Sequence, residues 1–410
     1  MKVLHINVRL QEGGAARVAL DLHRHLLTLN VESVFAYGWG ENGGKSSGEA
    51  SVPKCFQAGQ QFQVAANMLL HRLIGVDSIK PLGFGRKRLL CAIHWADVVH
   101  LHVIHSHFLP LDWLVHELVR LKKPVIWTAH DYWMLTGRCA FTEECQGWRR
   151  GCGECPTQQN YPPALMNYSA HEFKRKRKII SLLGSRLHVV TPSAFVANAI
   201  IDGLPNVAVS VIPNWVDSGL ESALKNVQLS NSSISFSEKS IKVIFIASDL
   251  SDPTKVDRAL VNQLLALPHI ELHTVGSQSP FSGSNVINHG RISDRKQIVD
   301  VIVRADVALF TSEKDTFGLV MIEALACGVP VFAVSSMAAE EVLSVLNILP
   351  VGSCEEIYCC LRDKVIPECY LGASRASLHR DALKKYSRTV LADKYIDLYK
   401  AVTGQSDANQ

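Results

Sequence analysis

One acidic side chain interrupts the apolar stretch GLVMIEALACG, which spans residues 318–328. The pattern predicts a helix from about Leu319 to Ala326, which Gly328 stops before the next strand. Glu323 would lie more than a turn inside this helix, where its two carboxylate oxygens can accept hydrogen bonds from both hydroxyls of a ribose diol. An ordinary strand-turn-helix unit with surface acids also fits the pattern, but it leaves a glutamate in an apolar helix unexplained.

The turn before this helix contains a second group of candidate residues. A strand is predicted to end at Ser312, and the turn after it carries Asp315, Thr316, Phe317 and Gly318. Free backbone N–H groups and the helix dipole at such a helix start favour a diphosphate or sugar hydroxyls, and Gly318 lets a ligand approach the backbone. Asp315 would then face a sugar.

Four of the eleven cysteines lie in one polar segment, GRCAFTEECQGWRRGCGECP, and they are Cys139, Cys145, Cys152 and Cys155. Their spacing, with one C-x-x-C, is compatible with one tetrahedral thiolate site or with two disulfides. The N-terminus, MKVLHINVRL, alternates as a strand and shows no secretory signal, so we expect a reducing, cytoplasmic location. There, buried-looking thiols such as Cys91 and Cys327 stay unpaired. We therefore predict a structural zinc site at the four cysteines, with four reduced thiols and no metal as the alternative.

Composition predicts a soluble globular protein with two domains. The chain has 410 residues, of which 47% are hydrophobic and 20% charged, and no uninterrupted apolar run is long enough to span a bilayer. A net charge of +4 is too small to indicate nucleic-acid binding. Five consecutive cations in FKRKRK, residues 173–178, form either a solvated helix face or a surface for an anionic membrane or a phosphate-bearing substrate.

Alternating strand and helix patterns predict an α/β fold with two doubly wound, Rossmann-like domains facing a central cleft. The strand VLHINV, for example, is followed by a glycine loop, a helix and the strand SVFAYG. We assign residues 1–210 to the first domain, 211–240 to a Ser-, Asn- and Lys-rich linker, and 241–385 to the second domain. Residues 386–410 form a terminal helix that we expect to pack on the first domain. Its apolar face comprises Leu391, Tyr395, Leu398 and Val402.

The chain resembles retaining GT-B glycosyltransferases of family 4, which use nucleotide-sugar donors. The resemblance is carried by the spacing of Asp315 and Glu323 within TSEKDTFGLVMIEALACGVPV, by IPNWVD upstream and by GGAARVALDLHRHL near the start. It covers essentially the whole chain. It is strongest to exopolysaccharide enzymes of the colanic-acid biosynthesis type, which also show HDYW, TGRC and the cysteine segment followed by CP.

The resemblance implies roles for residues of the second domain. Glu323 would bind the donor ribose and Asp315 the donor sugar, while the backbone of residues 316–318 would contact the sugar and the diphosphate. Lys255, in SDLSDPTK, matches the lysine that neutralises the diphosphate leaving group. The backbone of Ile292, in HGRISD, would hold the nucleobase.

In the first domain, the resemblance implies that Gly13 and Gly14 lie under the phosphates. It also implies that His130, in TAHDYW, contacts the donor sugar near the reacting centre.

Two positions depart from the family pattern. Asp249 stands six residues before Lys255, where an arginine is usual, and this removes a cation from the leaving group. Catalysis would then be slower, or it would rely on Arg291 or another residue. Asp315 stands where a glutamate is usual and is one methylene shorter, which alters its contact with the sugar.

Together these features predict a retaining glycosyltransferase that moves a sugar from a UDP- or GDP-sugar to a growing bacterial exopolysaccharide or lipid-linked oligosaccharide. The mechanism usually proposed for this fold is front-face attack by the acceptor, so we name no general base and expect no catalytic cofactor. We expect peripheral contact with the inner face of the cell membrane and no nucleic-acid partner. A nucleotide-sugar epimerase or hydrolase of the same fold and a non-catalytic nucleotide-sugar-binding subunit are the alternatives.

Overall fold

Two parallel β-sheets with connecting helices form the framework of the protein. This computed structural model describes residues 1–40, 52–74, 79–142, 145–156 and 165–404. The chain divides into an N-terminal unit, Met1–Ile212 with Ala392–Gln410, and a C-terminal unit, Pro213–Leu391. The predicted α/β class with two Rossmann-like domains is therefore confirmed.

The strands of the N-terminal unit are short and rich in apolar residues, as expected for a parallel sheet whose two faces are covered. They are β1 (Lys2–Asn7), β2 (Glu32–Tyr37), β3 (Cys55–Gln57), β4 (Val98–Leu101), β5 (Val125–Thr128), β6 (Leu187–Thr191) and β7 (Ala208–Val211). Within the described residues they pair in the order β3-β2-β1-β4-β5-β6-β7. The order reverses between β1 and β4, and ligands of such folds bind outside the carboxyl ends of the strands at this switch point.

Helices and short 3-10 turns connect these strands. The helices are α1 (Gly14–Thr28), α2 (Gln61–Ile74), α3 (Gly83–Trp95), α4 (Leu111–Arg120), α5 (Ser169–Ser181) and α6 (Ala194–Gly203). The 3-10 turns are Gly147–Arg150 and Gly184–Arg186.

The C-terminal unit repeats the design with a smaller sheet. Its strands are β8 (Ile241–Asp249), β9 (Ile270–Ser277), β10 (Val286–Asn288), β11 (Val307–Phe310) and β12 (Val331–Ala333). Among the residues described, they pair in the order β10-β9-β8-β11-β12, so the switch point lies between β8 and β11.

The helices of this unit precede, connect and follow its strands. They are α7 (Ser218–Leu224), α8 (Arg258–Leu265), α9 (Arg295–Ile302), α10 (Leu319–Ala326), α11 (Met337–Ser344), α12 (Cys354–Arg362) and α13 (Arg375–Lys385), with a 3-10 turn at Glu368–Tyr370. Helix α10 has the bounds that the sequence predicts. A final helix, α14 (Arg388–Thr403), begins in this unit and belongs to the N-terminal unit from Ala392 onward. The predicted terminal segment extends to residue 410, but residues 405–410 lie outside the described part of the chain.

The two faces of the N-terminal sheet differ in polarity. Alternation along β1 directs Leu4 and Ile6 into the apolar core, whereas His5 points to the opposite face. His5 pairs in register with His100 of β4, so two imidazoles lie side by side. Burial lowers the pKa of both rings well below the usual value, and both are therefore neutral at pH 7.

Helix α14 buries Leu391 and Tyr395 as predicted, but not the rest of the predicted face. Leu398 and Val402 are only half-buried, and Tyr399 is fully buried instead. The Tyr399 hydroxyl lies 2.6 Å from His100 Nδ1 on the polar face of the sheet. A buried tyrosine hydroxyl needs a hydrogen-bond partner, and this face supplies one where an apolar face would not.

Candidate functional site

A cation and a carboxylate meet at the switch point of the C-terminal sheet. Lys255 follows β8 and Asp315 follows the neighbouring strand β11. Lys255 Nζ donates a hydrogen bond of 2.9 Å to Asp315 Oδ2, and the two side chains are 26% and 24% exposed. The cation assigned to the leaving group and the acid assigned to the donor sugar are thus adjacent and accessible.

The turns after β8 and β11 are joined by side-chain hydrogen bonds. Strand β11 ends at Phe310, not at Ser312 as predicted. Thr311 Oγ1 donates to the Lys255 carbonyl at 2.9 Å, and Ser312 Oγ donates to the Thr254 carbonyl at 3.3 Å. Beyond the end of the strand, these two hydroxyls bind the neighbouring turn and help to position the backbone at Lys255.

Two aspartates shape the chain that leads from β8 to Lys255. Asp249 Oδ1 accepts hydrogen bonds from Ser251 Oγ and Ser251 N at 2.7 and 2.8 Å, and these bonds hold the pKa of Asp249 below its usual value. Asp252 Oδ1 likewise accepts from Thr254 Oγ1 and Thr254 N at 2.7 and 2.9 Å. Both are turns of the Asx type, in which a side chain replaces a backbone acceptor. Asp249 therefore has a turn-forming role at the position where the family pattern has an arginine.

Glycine is required at the start of α10. Gly318 has a φ of +81°, in the left-handed region. A Cβ at this position would lie 2.6 Å from Met321 Cε and 2.9 Å from Phe310 Cζ, so an added side chain would also force these neighbours to shift. The preceding Thr316 and Phe317 are 7% and 3% exposed. The helix start is thus held by a buried turn, and its backbone N–H groups suit an anionic ligand.

Glu323 is buried inside α10 and has a cationic neighbour. It is 6% exposed, and its Oε1 lies 3.7 Å from Nη1 of Arg295, the first residue of α9. Arg295 Nη2 lies 2.5 Å from Asp217 Oδ2, and Asp217 Oδ1 also caps α7 by accepting from Leu220 N at 3.0 Å. A buried carboxylate needs such a counter-charge. The sequence suggested Arg291 as a replacement cation, but Arg291 is exposed, and no pattern in the sequence connects Arg295 to Glu323.

Ile292 lies in the loop between β10 and α9. It is half-buried and stands three residues before Arg295. Gly290, with a φ of +66°, turns the chain after β10, and Asp294 Oδ1 caps α9 by accepting from Lys296 N at 2.8 Å. The loop that carries the proposed nucleobase contact is therefore anchored at both ends.

The glycine loop of the N-terminal unit precedes α1. Gly13 has a φ of +90°, and a Cβ there would meet no atom within 4 Å. Glycine is thus required by the backbone conformation, and the space beside it is open. The loop is braced by an ion pair of 2.9 Å between Arg9 and Glu12 and by the Arg9 guanidinium 3.4 Å from the Trp39 ring centroid. Open space next to Gly13 is compatible with a phosphate group, and Gly14 follows as the first residue of α1.

His130 follows β5 and ends a chain of three histidines. Its Nε2 lies 3.2 Å from His102 Nδ1, and His102 Nε2 lies 3.1 Å from His5 Nδ1. Burial lowers the pKa of His130 to about 4 and those of His102 and His5 well below the usual value. A neutral imidazole has one donor and one acceptor nitrogen, so each ring in the chain constrains the tautomer of the next.

Asp131 adds a charged group beside His130. It accepts hydrogen bonds from His105 Nε2 and Trp133 N, both at 2.8 Å. Burial raises the pKa of Asp131, but His105 and the Trp133 N–H outweigh it, and the pKa falls below its usual value. These residues and His102 line one cavity of the N-terminal unit. Sequence reasoning missed His102, His105 and Asp131, although the histidine repeat VHLHVIH and the acid of HDYW signal them.

The four clustered cysteines line a different cavity of the N-terminal unit. They are Cys139, Cys145, Cys152 and Cys155. All four are free thiols and half-buried. In the described part of the chain, the one group of three potential metal ligands within 4.8 Å of one another is His5, His100 and His102. The cysteine sulfurs are therefore spread more widely around their cavity, and the zinc site stays a prediction.

Only Lys174 and Lys178 of the FKRKRK run are exposed, so the run is not the continuous exposed surface that the sequence suggested. Lys176 is 1% exposed, and its Nζ donates to the Trp133 carbonyl at 2.6 Å. Burial lowers the pKa of Lys176 to about 7. Arg175 forms ion pairs with Glu172, at 2.7 Å, and with Asp112. The helix turns these side chains towards the protein, because successive residues of a helix point in different directions.

The prediction that the Cys91 thiol is buried is also wrong. Cys327 is buried after α10, as predicted, but Cys91 is exposed on α3. Helix α3 buries Leu89 and Ile93, and Cys91 lies between them in sequence on the opposite side.

The fold and the site define a class of protein. Two parallel α/β units, each with a switch point in its sheet, have the architecture of the GT-B glycosyltransferases. The chain belongs to glycosyltransferase family 4, because residues 12–220 match the family model Glycosyltransferase Family 4 and residues 281–346 match Glycosyl transferases group 1.

Known proteins agree with this assignment over the full length. The putative colanic acid biosynthesis glycosyl transferase WcaC of Escherichia coli (strain K12) is 34% identical over 412 residues, covering 98% of this chain and 100% of that protein. Sucrose-phosphate synthase from Thermosynechococcus elongatus has a similar fold, with a TM-score of 0.60, 15% identity and coverage of 99% and 100% of the two chains. WaaG, a glycosyltransferase involved in lipopolysaccharide biosynthesis, also has a similar fold. Its TM-score is 0.59, its identity is 13%, and the match covers 98% of this chain and 100% of that chain. The predicted family is confirmed.

Proposed function

We propose that this enzyme transfers a sugar from a nucleotide-sugar donor to a saccharide acceptor of a bacterial exopolysaccharide, with retention at the anomeric carbon. The observation that carries the proposal is the 2.9 Å contact of Lys255 with Asp315 at the carboxyl ends of β8 and β11. An ammonium has three N–H donors, so Lys255 can keep Asp315 and also donate to a diphosphate. The similarity to WcaC over both full chains supports an exopolysaccharide acceptor.

Lys255 is the cation best placed to stabilise the leaving diphosphate. Asp249 supplies a negative charge where the family pattern has an arginine, and Arg295 is engaged by Asp217 and Glu323. Arg291 is exposed. Losing one preorganised group that stabilises developing charge lowers kcat about 10²- to 10³-fold, and Lys255→Ala should do so here.

Other residues of the C-terminal unit contact different parts of the donor. Glu323 binds the ribose diol, and Ile292 holds the nucleobase of a UDP- or GDP-sugar through its backbone. The buried turn at residues 316–318 presents backbone N–H groups to the sugar and the diphosphate. Asp315 contacts the donor sugar while Lys255 orients its carboxylate.

His130 of the N-terminal unit acts as a neutral hydrogen-bonding group. Its pKa of about 4 makes it a poor reservoir of protons at pH 7. It therefore orients a donor-sugar hydroxyl, and the acceptor attacks from the face that the diphosphate leaves. This mechanism requires no covalent intermediate with the protein.

One experiment tests the transfer and separates the alternatives. UDP- and GDP-sugars are first ranked by thermal stabilisation of the protein, since a ligand at a hundredfold excess over its Kd contributes about 2.7 kcal/mol. The selected donor is then incubated with and without saccharide acceptors, and the anomeric configuration of the product is read by NMR. Lys255→Ala should lose turnover, whereas Lys384→Ala, an exposed lysine of α13, should not.

Each other outcome points to a different activity. Donor consumption without acceptor indicates a hydrolase or epimerase. Donor binding without turnover in any acceptor mixture indicates a binding subunit. Turnover that is equal in Lys255→Ala and the unmodified protein contradicts the assigned role, and an inverted product contradicts retention.

We propose further that the acceptor is lipid-linked and that α2 and α3 face the membrane. Large apolar side chains on these helices are exposed: Phe62 by 62%, Leu69 by 60% and Phe84 by 73%. The helices contain no acidic residue, and their exposed cations are Arg72, Lys87 and Arg88. Apolar side chains with cations suit the interface of an anionic bilayer. No helix among the described residues is long and apolar enough to cross a membrane.

Vesicle sedimentation tests this surface. The unmodified protein should bind vesicles that contain anionic lipid and should be released by salt. Phe62→Ser with Phe84→Ser should weaken binding strongly. Lys174→Gln with Lys178→Gln, at the exposed positions of FKRKRK, should leave it nearly unchanged. Absence of vesicle binding, or loss in the lysine variant alone, would refute the α2–α3 assignment.

A further inference from the structure

The backbone of the cysteine segment makes an unusual turn. Gly151, Cys152 and Gly153 have consecutive φ values of +99°, +56° and +136°. Cys152 N donates to the Gly147 carbonyl at 2.7 Å, which closes the turn. A side-chain-bearing residue is disfavoured in this region, so the surroundings must hold Cys152 in place. The turn brings Cys152 and Cys155 to the cavity that the other two cysteines line.

Backbone N–H groups are directed at two of the sulfurs. Gly147 N donates to Cys145 Sγ at 3.3 Å, and Gly137 N donates to Cys152 Sγ at 3.2 Å. A Cβ at Gly147 would lie 3.2 Å from Cys145 Sγ, so a glycine allows this close approach. N–H donors of this kind stabilise thiolates and are the usual surroundings of cysteine-bound metals.

Two buried cations interact with the cysteines, and one of them, Arg138, lines the same cavity. Arg138 is 5% exposed, and its Nη2 lies 4.0 Å from Cys155 Sγ. Lys176 is 1% exposed, and Cys139 and Cys152 are close enough to interact electrostatically with its ammonium. Three of the four cysteines thus have a buried cation nearby.

Four thiolates around one Zn²⁺ would carry a net charge of −2, because each ligating sulfur is deprotonated. The buried Arg138 guanidinium, 4.0 Å from Cys155 Sγ, would offset part of this charge.

We propose that Cys139, Cys145, Cys152 and Cys155 bind one zinc ion in a closed, tetrahedral, purely structural site. Soft thiolate ligands select zinc, with Zn–S distances near 2.3 Å. The sulfurs are farther apart than this geometry needs, so metal binding would have to draw them together.

The ion would hold the segment that follows His130. Tyr132 N donates to the Ala140 carbonyl at 2.8 Å, and Thr136 Oγ1 donates to the Cys139 carbonyl at 2.6 Å. These bonds connect the cysteine segment to the chain between His130 and Cys139. Because four protein ligands leave no open coordination position, the metal takes no part in sugar transfer.

Metal content tests the proposal independently of any activity. The full chain is purified without a metal-affinity tag, and its metals are counted by elemental analysis. We expect one zinc per chain and four thiols that become titratable only when the zinc is chelated. Cys145→Ser and Cys152→Ser should each lose the zinc, whereas Cys91→Ser, which removes an exposed thiol of α3, should retain it.

A second measurement covers the case in which a ligand variant fails to fold. Replacement of zinc by Co²⁺ in the unmodified protein should produce the strong near-ultraviolet absorption of thiolate-to-cobalt charge transfer. Folded, metal-free protein in which the thiols of Cys139, Cys145, Cys152 and Cys155 are all titratable would overturn the proposal. So would two disulfides in unreduced protein, iron in place of zinc, or zinc retained in the Cys145→Ser and Cys152→Ser variants.

Discussion

Removing the Glu323 carboxylate should abolish the preference of this enzyme for a ribose over a 2′-deoxyribose nucleotide. Glu323 is 6% exposed, and Arg295 holds one of its oxygens at 3.7 Å. The proposed ribose contact uses the same carboxylate as an acceptor for two hydroxyls. A double-mutant cycle that deletes the carboxylate on one side and the 2′-hydroxyl on the other therefore measures this single contact.

The magnitude follows from the charge of the acceptor. A hydrogen bond to a charged group contributes about 1.5–3 kcal/mol, which corresponds to about a 10- to 150-fold change in Kd. The unmodified protein should thus bind UDP or GDP, whichever the thermal screen selects, about 10- to 150-fold more tightly than the 2′-deoxy analogue. Glu323→Ala should bind both weakly and with nearly equal Kd values.

Isothermal titration calorimetry supplies the four Kd values, and urea unfolding supplies the control. Glu323→Ala should remain folded because Arg295 keeps Asp217 at 2.5 Å. Asp217→Ala is the matched control, since it removes the other partner of Arg295 and the cap of α7, which contributes about 1 kcal/mol. It should lower stability and leave the ribose preference intact.

The result that refutes this reasoning is a folded Glu323→Ala variant that still discriminates ribose from 2′-deoxyribose as strongly as the unmodified protein. Glu323 would then be a structural partner of Arg295 alone. If Asp217→Ala, which retains Glu323, no longer discriminates ribose from 2′-deoxyribose, the ribose contact belongs to Arg295 instead.

Three further predictions address the fold around the site. His130 should make the free energy of unfolding depend on pH, because burial lowers the pKa of its ring from 6.5 to about 4. Its stabilising contribution, up to about 3 kcal/mol, is complete above about pH 6.5 and is lost as the pH falls towards 4. His130→Gln should flatten this part of the urea-midpoint profile, and an unchanged slope contradicts the assignment. Gly318→Ala should lower the thermal midpoint more than Gly372→Ala, because both have positive φ but only at position 318 would the added Cβ lie 2.6 Å from a side-chain atom. Tyr399→Phe should destabilise the protein by about 1–3 kcal/mol, since it removes the hydroxyl that lies 2.6 Å from the buried His100 Nδ1. If urea unfolding shows no change beyond experimental error, this hydrogen bond contributes nothing to stability.

The sequence alone specifies most of the elements and some of their ends. Hydrophobic periodicity separates strands from helices, and glycine marks many of the positions where the backbone takes a positive φ. Helix α10 ends where the sequence predicts because Gly328, with a φ of +70°, cannot continue it. Glu323 is also recognisable as a candidate from the local pattern, because a charged residue inside an apolar helix is visible in the sequence.

Tertiary structure alone decides which distant side chains meet. Lys255 reaches Asp315 because β8 and β11 are neighbours in the sheet, although 60 positions separate the two residues. His5 reaches His102 through the pairing of β1 with β4, which the histidine repeat in the sequence does not reveal.

The FKRKRK run and Tyr399 show the same limit. A row of cations predicts an exposed surface, yet helix geometry buries Lys176 against Trp133, and the polar face of the sheet selects Tyr399 over Leu398. Periodicity reports the conformation of a segment, because backbone preferences are local. Strand order and register, which decide what each side chain contacts, arise only when the whole chain packs.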